Sequence, residues 1–173
     1  MALHPWFERQ FTFDLPLWMA PNIVERLRGT AARAEDRLRG LDPSLGTRRD
    51  GGRWSIHQHI GHLGDLEPLW LARVADLRAG RETLTPADLQ NRATEEADHN
   101  ARPLPELLSR FRDLRATLVA ELEGTPAPDW GRTGLHPRLR TPMRLLDLGF
   151  FVAEHDDHHL ARVTELLRSA GPG

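Results

Sequence analysis

Cysteine, lysine and tyrosine are all missing from the 173 residues. Without cysteine the chain has no disulfide, no thiolate zinc site, no iron–sulfur ligation and no thiol nucleophile. Any metal must therefore sit on nitrogen and oxygen. Without lysine or tyrosine there is no Schiff-base amine and no phenol, so acid–base chemistry falls to His, Asp, Glu, Ser and Thr. All 23 basic residues are arginine, a bias that a GC-rich genome explains without any appeal to function. They are interleaved with 25 acidic residues for a net charge of −2, which gives no electrostatic case for nucleic acid. No apolar run approaches the ~20 residues of a membrane span. Met1-Ala2-Leu3-His4-Pro5 lacks the basic-then-apolar order of a secretory signal. No membrane partner is expected, and the cytoplasm is the expected location. Strand-like alternation and internal repeats are missing too.

What is present describes a globular protein: 39% hydrophobic, 28% charged, mean hydropathy −0.50. The length suits one domain, 1–173, with a real core. From Leu17, apolar residues at Val24, Leu27, Ala31, Ala34, Leu38 and Leu41 step by three and four, predicting a helix that ends near Gly40, with Pro21 resetting its start. Asp42-Pro43-Ser44-Leu45-Gly46 reads as a turn, and Asp50-Gly51-Gly52 leads on. So short a loop predicts that helices one and two are antiparallel neighbours. The second helix is expected from an N-cap at Ser55 to about Leu77, on a stripe of Ile56, Ile60, Leu63, Trp70, Val74 and Leu77, with a kink at Pro68. Residues 81–102 have no period and read as a crossover or lid. Helix three follows on Leu104, Leu107, Phe111, Leu114, Leu118 and Leu122 and stops at a C′ Gly124. After a second long connection, Thr141 as N-cap and Pro142 at the first helical position start helix four. The result is an all-α four-helix bundle.

In helix four the stripe Leu148, Val152, His155, His159, Val163 and Leu166 carries two imidazoles. Four residues apart, their Cβ atoms lie about 5–6 Å from one another and both rings can reach one cation. Two ligands are too few, because a metal site usually needs at least three. Helix two offers His57, His59 and His62. His57, one past Ile56, is the least suited; His59 and His62 can both point inward, and geometry does not separate them.

The run Trp54-Ser55-Ile56-His57-Gln58-His59-Ile60-Gly61-His62-Leu63-Gly64-Asp65-Leu66-Glu67 resembles the helix-two signature of the DinB/YfiT-like family. His136-Pro137-Arg138-Leu139 followed by Phe151-Val152-Ala153-Glu154-His155-Asp156-Asp157-His158-His159-Leu160 is similar to that family's closing helix, and Asp98-His99-Asn100 recurs in one of its branches. The resemblance implies an up-down-down-up bundle whose long crossover joins helices two and three. It also implies a divalent metal held by His62, His155 and His159, with His158 not a ligand. Arg140 stands where the family often has glycine after its His-Pro pair.

Other polar positions have blander expectations. His59 is expected in the core or behind the ligands, and His158 either in solvent or lining the cleft. Glu67 faces the core and needs a partner, either a histidine ligand's second N–H or an arginine. Asp65 is expected at the surface. Trp18, Trp54, Trp70 and Trp130 are expected as core or loop anchors. His99 and His136 lie in long loops that can close over one end of the bundle and supply a fourth donor or a proton shuttle.

Three neutral imidazoles leave a +2 ion with an open position, the arrangement of catalytic rather than structural sites. Such an ion acidifies water or takes a thiol as thiolate, and nitrogen-only ligation suits zinc or nickel. One function compatible with this is a metalloenzyme, transferase- or hydrolase-like, acting on a small molecule; the family resemblance adds low-molecular-weight thiols. The other is a non-catalytic metal-binding protein of stress response. Arginine- and leucine-rich surfaces are compatible with a homodimer.

Overall fold

The stepping apolar residues build the four long helices. In the computed structural model, which describes residues 3–49 and 51–169, these are α1 (Ala20–Arg37), α3 (Ile56–Arg78), α5 (Leu104–Glu123) and α6 (Leu145–Ser169). Two short helices, α2 (Pro43–Gly46) and α4 (Arg92–Glu96), sit in the connections. Met1, Ala2 and Asp50, read above, lie outside the described residues. Pro21 falls in the first turn of α1, where its missing N–H costs no helical hydrogen bond. Ser55 opens α3 with a full capping box: its hydroxyl accepts from the Gln58 amide, and its own amide donates to the Gln58 side chain. The helix then continues through Pro68 to Arg78. No helix among the described residues is long and apolar enough to cross a membrane.

Three expectations fail here. First, α1 packs on α5 and α6, and α3 packs on the same two, so α1 and α3 are diagonal rather than neighbours. The connection between them contains α2 and is long enough to cross the bundle end. Second, Thr141-Pro142 does not start helix four. Thr141–Arg144 is strand β2, paired antiparallel with β1 (Thr133–His136), and α6 begins only at Leu145. Proline is tolerated there because this two-stranded sheet is all edge. Third, Gly124 ends α5 with φ −73°, an ordinary helical value rather than a left-handed one. Arg140, by contrast, does turn left-handed at φ +55° to close the hairpin. A non-glycine residue pays about 1–2 kcal/mol for that conformation.

The helix register is visible in the side-chain pairs. Along α3 and α5 the pairs advance together: Asp65 with Arg110, Glu67 with Arg115, Arg78 with Glu121. Along α1 and α6 they also advance together, from Arg26 with Glu154 through Thr30 with Asp156 to Arg37 with Thr164. Between α3 and α6 they run in opposite senses, His59 against His159 and Trp70 against Phe151.

The core is split. A large cluster centred on Leu27, Trp70, Leu118, Leu146 and Val152 fills one end, and a smaller one of Ala34, Leu38, Ile56, Ile60, Leu107, Leu160 and Val163 fills the other. A third, small cluster joins Ala31, Leu63 and Phe111, and His59, His62, His155 and His159 meet one another between α3 and α6.

Candidate metal centre

His155 and His159 sit one helical turn apart on the buried face of α6, between Val152 and Leu160. His62 meets them from α3, where Gly61 and Gly64 thin the helix so that His99 of the crossover and Arg110 of α5 can lie on it. A Cβ at Gly61 would be 2.3 Å from the His99 ring, and one at Gly64 would be 2.7 Å from Arg110 Nη1.

The three rings converge. His155 Nε2 lies 3.4 Å from His62 Nε2 and 3.1 Å from His159 Nε2. One ligand atom from each of the three falls within 4.8 Å of the others, and no further residue joins the group among the described residues. Two nitrogens tetrahedrally bound at about 2.0–2.1 Å would stand roughly 3.3–3.4 Å apart. The donor set therefore fits a divalent ion. All three rings are buried, and burial drives them neutral: His62 is lowered to about 4, and His155 and His159 well below their ordinary value, with the neighbouring imidazoles adding to the effect. Neutral rings are the form that ligates.

Proton placement follows from the partners. Thr94 gives its hydroxyl proton to Asp65 Oδ2 at 3.0 Å, so it can only accept from His62 Nδ1 at 2.9 Å. That leaves the lone pair of His62 on Nε2, facing the other two rings. His59 Nδ1 lies 2.9 Å from His159 Nδ1; with His159 donating, its Nε2 lone pair also faces inward. His155 Nδ1 is buried without a partner.

The remaining histidines lie apart from this point. His99 is buried and bonds Asp65 Oδ2 at 2.7 Å, and His136 packs on Phe151; neither supplies a fourth donor. His158 is buried against Trp6 rather than solvated; burial, with Arg9 and Arg162 nearby, lowers it to about 4. Glu67 takes the arginine option, bonding Arg115 through one oxygen while the other stays unpartnered. Asp65 is not a surface residue. Its side chain is 7% exposed and receives Thr94, His99 and Arg110. Burial works against its charge, but the His99 hydrogen bond leads the effects that hold it below the usual carboxylate range.

Sequence periodicity gave no warning of Thr94, because nothing local marks it. It gave none of Trp6, which lies before the first periodic stretch. Trp6, Trp54 and Trp70 surround the triad: ring centroids are 5.1 Å from Trp6 to His155, 5.7 Å from Trp70 to His155 and 4.6 Å from Trp54 to His62. Trp130 is a core residue as expected, whereas Trp18 is 72% exposed and anchors nothing.

A family model described as the DinB superfamily matches residues 20–163. The fold is similar to that of YfiT from Bacillus subtilis, described as a probable metal-dependent hydrolase with an unusual four-helix bundle topology, at a TM-score of 0.80 and 22% identity over 96% of this chain and 95% of that one. It is also similar to the mycothiol-dependent maleylpyruvate isomerase, at a TM-score of 0.65 and 17% identity over 87% of this chain and 62% of that one. At these identities the likeness shows the fold. No curated protein sequence matches the chain.

Proposed function

Since this chain belongs to the DinB superfamily, we propose that it is a metal-dependent enzyme whose ion, zinc or nickel, is held by His62, His155 and His159. The observation that carries the proposal is the convergence of three neutral Nε2 atoms at 3.1 and 3.4 Å with no fourth protein ligand among the described residues. The pair register described above supports an up-down-down-up order within one domain, 1–173, which brings α3 and α6 together at this point. An ion bound there supplies Lewis acidity toward a water molecule or a thiol. The chain's own contribution is orientation: Asp65 through Thr94 fixes His62, and His59 fixes His159. The substrate is a small molecule; the likeness to a mycothiol-dependent enzyme favours a low-molecular-weight thiol as reactant. The competing view, a non-catalytic metal-binding protein, is favoured by one feature, the burial of all three rings behind tryptophans.

The test is metal analysis by emission spectroscopy on protein purified without a histidine tag, followed by thiol-transfer and ester- and amide-hydrolysis assays before and after chelation. Close to one ion per chain, with turnover lost on chelation and restored by zinc or nickel, is the expected result. Substoichiometric metal after loading overturns the proposal, and a full ion with no turnover leaves the non-catalytic view standing. Thr94→Val is expected to retain the fold and lower metal affinity by about 10- to 100-fold, the usual effect of losing a group that orients a ligand, measured by competition with a chromophoric chelator.

A further inference from the structure

Beside the triad, across the wall formed by Trp6, Trp70 and Phe151, lies a cavity of about 210 Å³. Its sides are mainly apolar, from Leu66, Leu69, Pro86 and Pro137 together with those three rings. Yet two guanidiniums, those of Arg73 and Arg138, also line it, and neither pairs with a carboxylate among the described residues. Arg73 is 1% exposed. Its Nε donates to the Thr85 carbonyl at 2.9 Å. The nearby acid, Asp76, is spent on Arg81 and on the amide and hydroxyl of Thr85. Asp88, also on the lining, is bonded to Arg92. Arg138 Nη2 is buried with no hydrogen-bond partner. A buried cation without a counter-charge is costly, and native structures supply a partner.

A further contact of Arg73, which also lies over the Trp70 ring at 5.4 Å, sharpens the point. Its Nη1 lies 3.1 Å from His136 Nε2. His136 Nδ1 accepts the Leu139 amide at 3.1 Å, so a neutral ring carries its one proton on Nε2. The ring is neutral: burial, with Arg73 and Arg138 adding to it, lowers His136 to about 4. Donor therefore faces donor. Arg73, His136 and Arg138 all line this cavity, the first two donor to donor and the third with its Nη2 buried and without a hydrogen-bond partner.

We infer that this cavity binds the carboxylate of a small organic acid, with Arg73, His136 and Arg138 gripping the acid group and the aromatic wall receiving an apolar body. Planar guanidiniums match a carboxylate's two oxygens. The cavity is smaller than the about 300–1,000 Å³ of drug-sized sites, so the acid has few heavy atoms. Phe7 and Leu89, both exposed, stand at the cavity's edge. That the acid is a substrate, with its far end toward the His155 side of the wall, rests on the metalloenzyme reading above; the binding itself does not.

The probes are benzoate, hexanoate and 3-phenylpropionate, each titrated by calorimetry against its uncharged amide into the zinc-loaded full chain. At least one acid is expected to bind roughly thirtyfold more tightly than its amide, the effect of removing one member of a buried charge pair. Arg138→Gln, at a half-buried position, is expected to abolish that preference with zinc content and melting temperature unchanged; Arg73→Gln should abolish it too, at a lower melting temperature because it also loses the bond to the Thr85 carbonyl. No acid binding more tightly than its amide, an unchanged preference in Arg138→Gln, or inorganic phosphate binding as tightly as the best acid overturns the inference. His155→Ala separates the two ideas: loss of zinc with acid binding kept supports both. Zinc kept sinks only the ligand assignment, and acid preference absent in the zinc-replete parent sinks only this one.

Discussion

Replacing His155 with alanine is expected to reduce zinc affinity by about 10²- to 10³-fold. Structural zinc binding is worth about 10–16 kcal/mol over four ligands, so one ligand carries about 2.5–4 kcal/mol. His155 is the substitution to choose because its Nε2 is the atom close to both of the others, at 3.4 and 3.1 Å. The control is His158→Ala, one residue along α6: its ring packs on Trp6 and is 5.4 Å from His159 by centroid, but it is outside the converging group. That variant should keep its metal within about threefold, since it removes no nitrogen of the converging group. Both variants remove a buried imidazole, so any loss of fold is shared and cancels in the comparison. The readout is zinc per chain by emission spectroscopy after loading and desalting. Wild-type metal content in His155→Ala would sink the ligand assignment, as would equal losses in the two variants.

The four long helices and the His155/His159 pair were legible because both rest on helical period, whereas His62 was singled out from His59 only by the family resemblance. A stripe stepping by three and four marks the face that is buried, and imidazoles on such a stripe are anomalous in themselves. Ser55 was equally legible, since a cap is a local device. What periodicity cannot register is burial by something other than the neighbouring helices. Asp65 lies off the apolar stripe of α3, but the crossover folds over that face and brings Thr94 and His99 onto it. The hairpin was hidden for a related reason. Thr141-Pro142 carries good helix-start chemistry, and its pairing partners, Leu135 and His136, are set by contacts that include a bridge from Thr83 to Leu135. Helix three held one sign that a stricter stripe would have caught. Phe111, Arg115 and Leu118 share its core face, and Leu114 is only half-buried.

That arginine gives the largest expected effect on stability. Arg115 is 2% exposed and lies between Glu67 and Asp156, whose side chains are both 0% exposed. Its Nε and Nη2 reach Glu67 Oε1 at 2.9 and 2.6 Å, and Nη1 and Nη2 hold the two oxygens of Asp156. Thr30 donates to Asp156 from α1 at 2.9 Å, so all four long helices meet here, one residue from a candidate ligand. Arg115→Met keeps the volume and removes the charge, leaving two buried carboxylates without a cation, which costs about 3–5 kcal/mol. For a chain of this size that lowers the melting temperature by roughly 6–20 °C. The deficit should depend on pH. Burial already pushes Glu67 up to about 7, against the pull of Arg115. Between an unfolded value near 4.5 and about 7 the native state holds a proton that the unfolded chain has lost. The contribution is therefore full below the unfolded value and is lost as pH rises through 7. Removing Arg115 takes away the pull that lowers Glu67, so urea unfolding should show a larger deficit at pH 8 than at pH 5. The buried histidines favour the opposite trend, since their lowered values make acid destabilising; Arg115 adds to the lowering of His155, so removing it eases that acid penalty and acts in the same direction as Glu67, making the deficit smaller at pH 5. Equal deficits at the two pH values would mean that the loss is one of packing, and a deficit under about 1 kcal/mol, the range of exposed pairs, would mean that the triad holds nothing together.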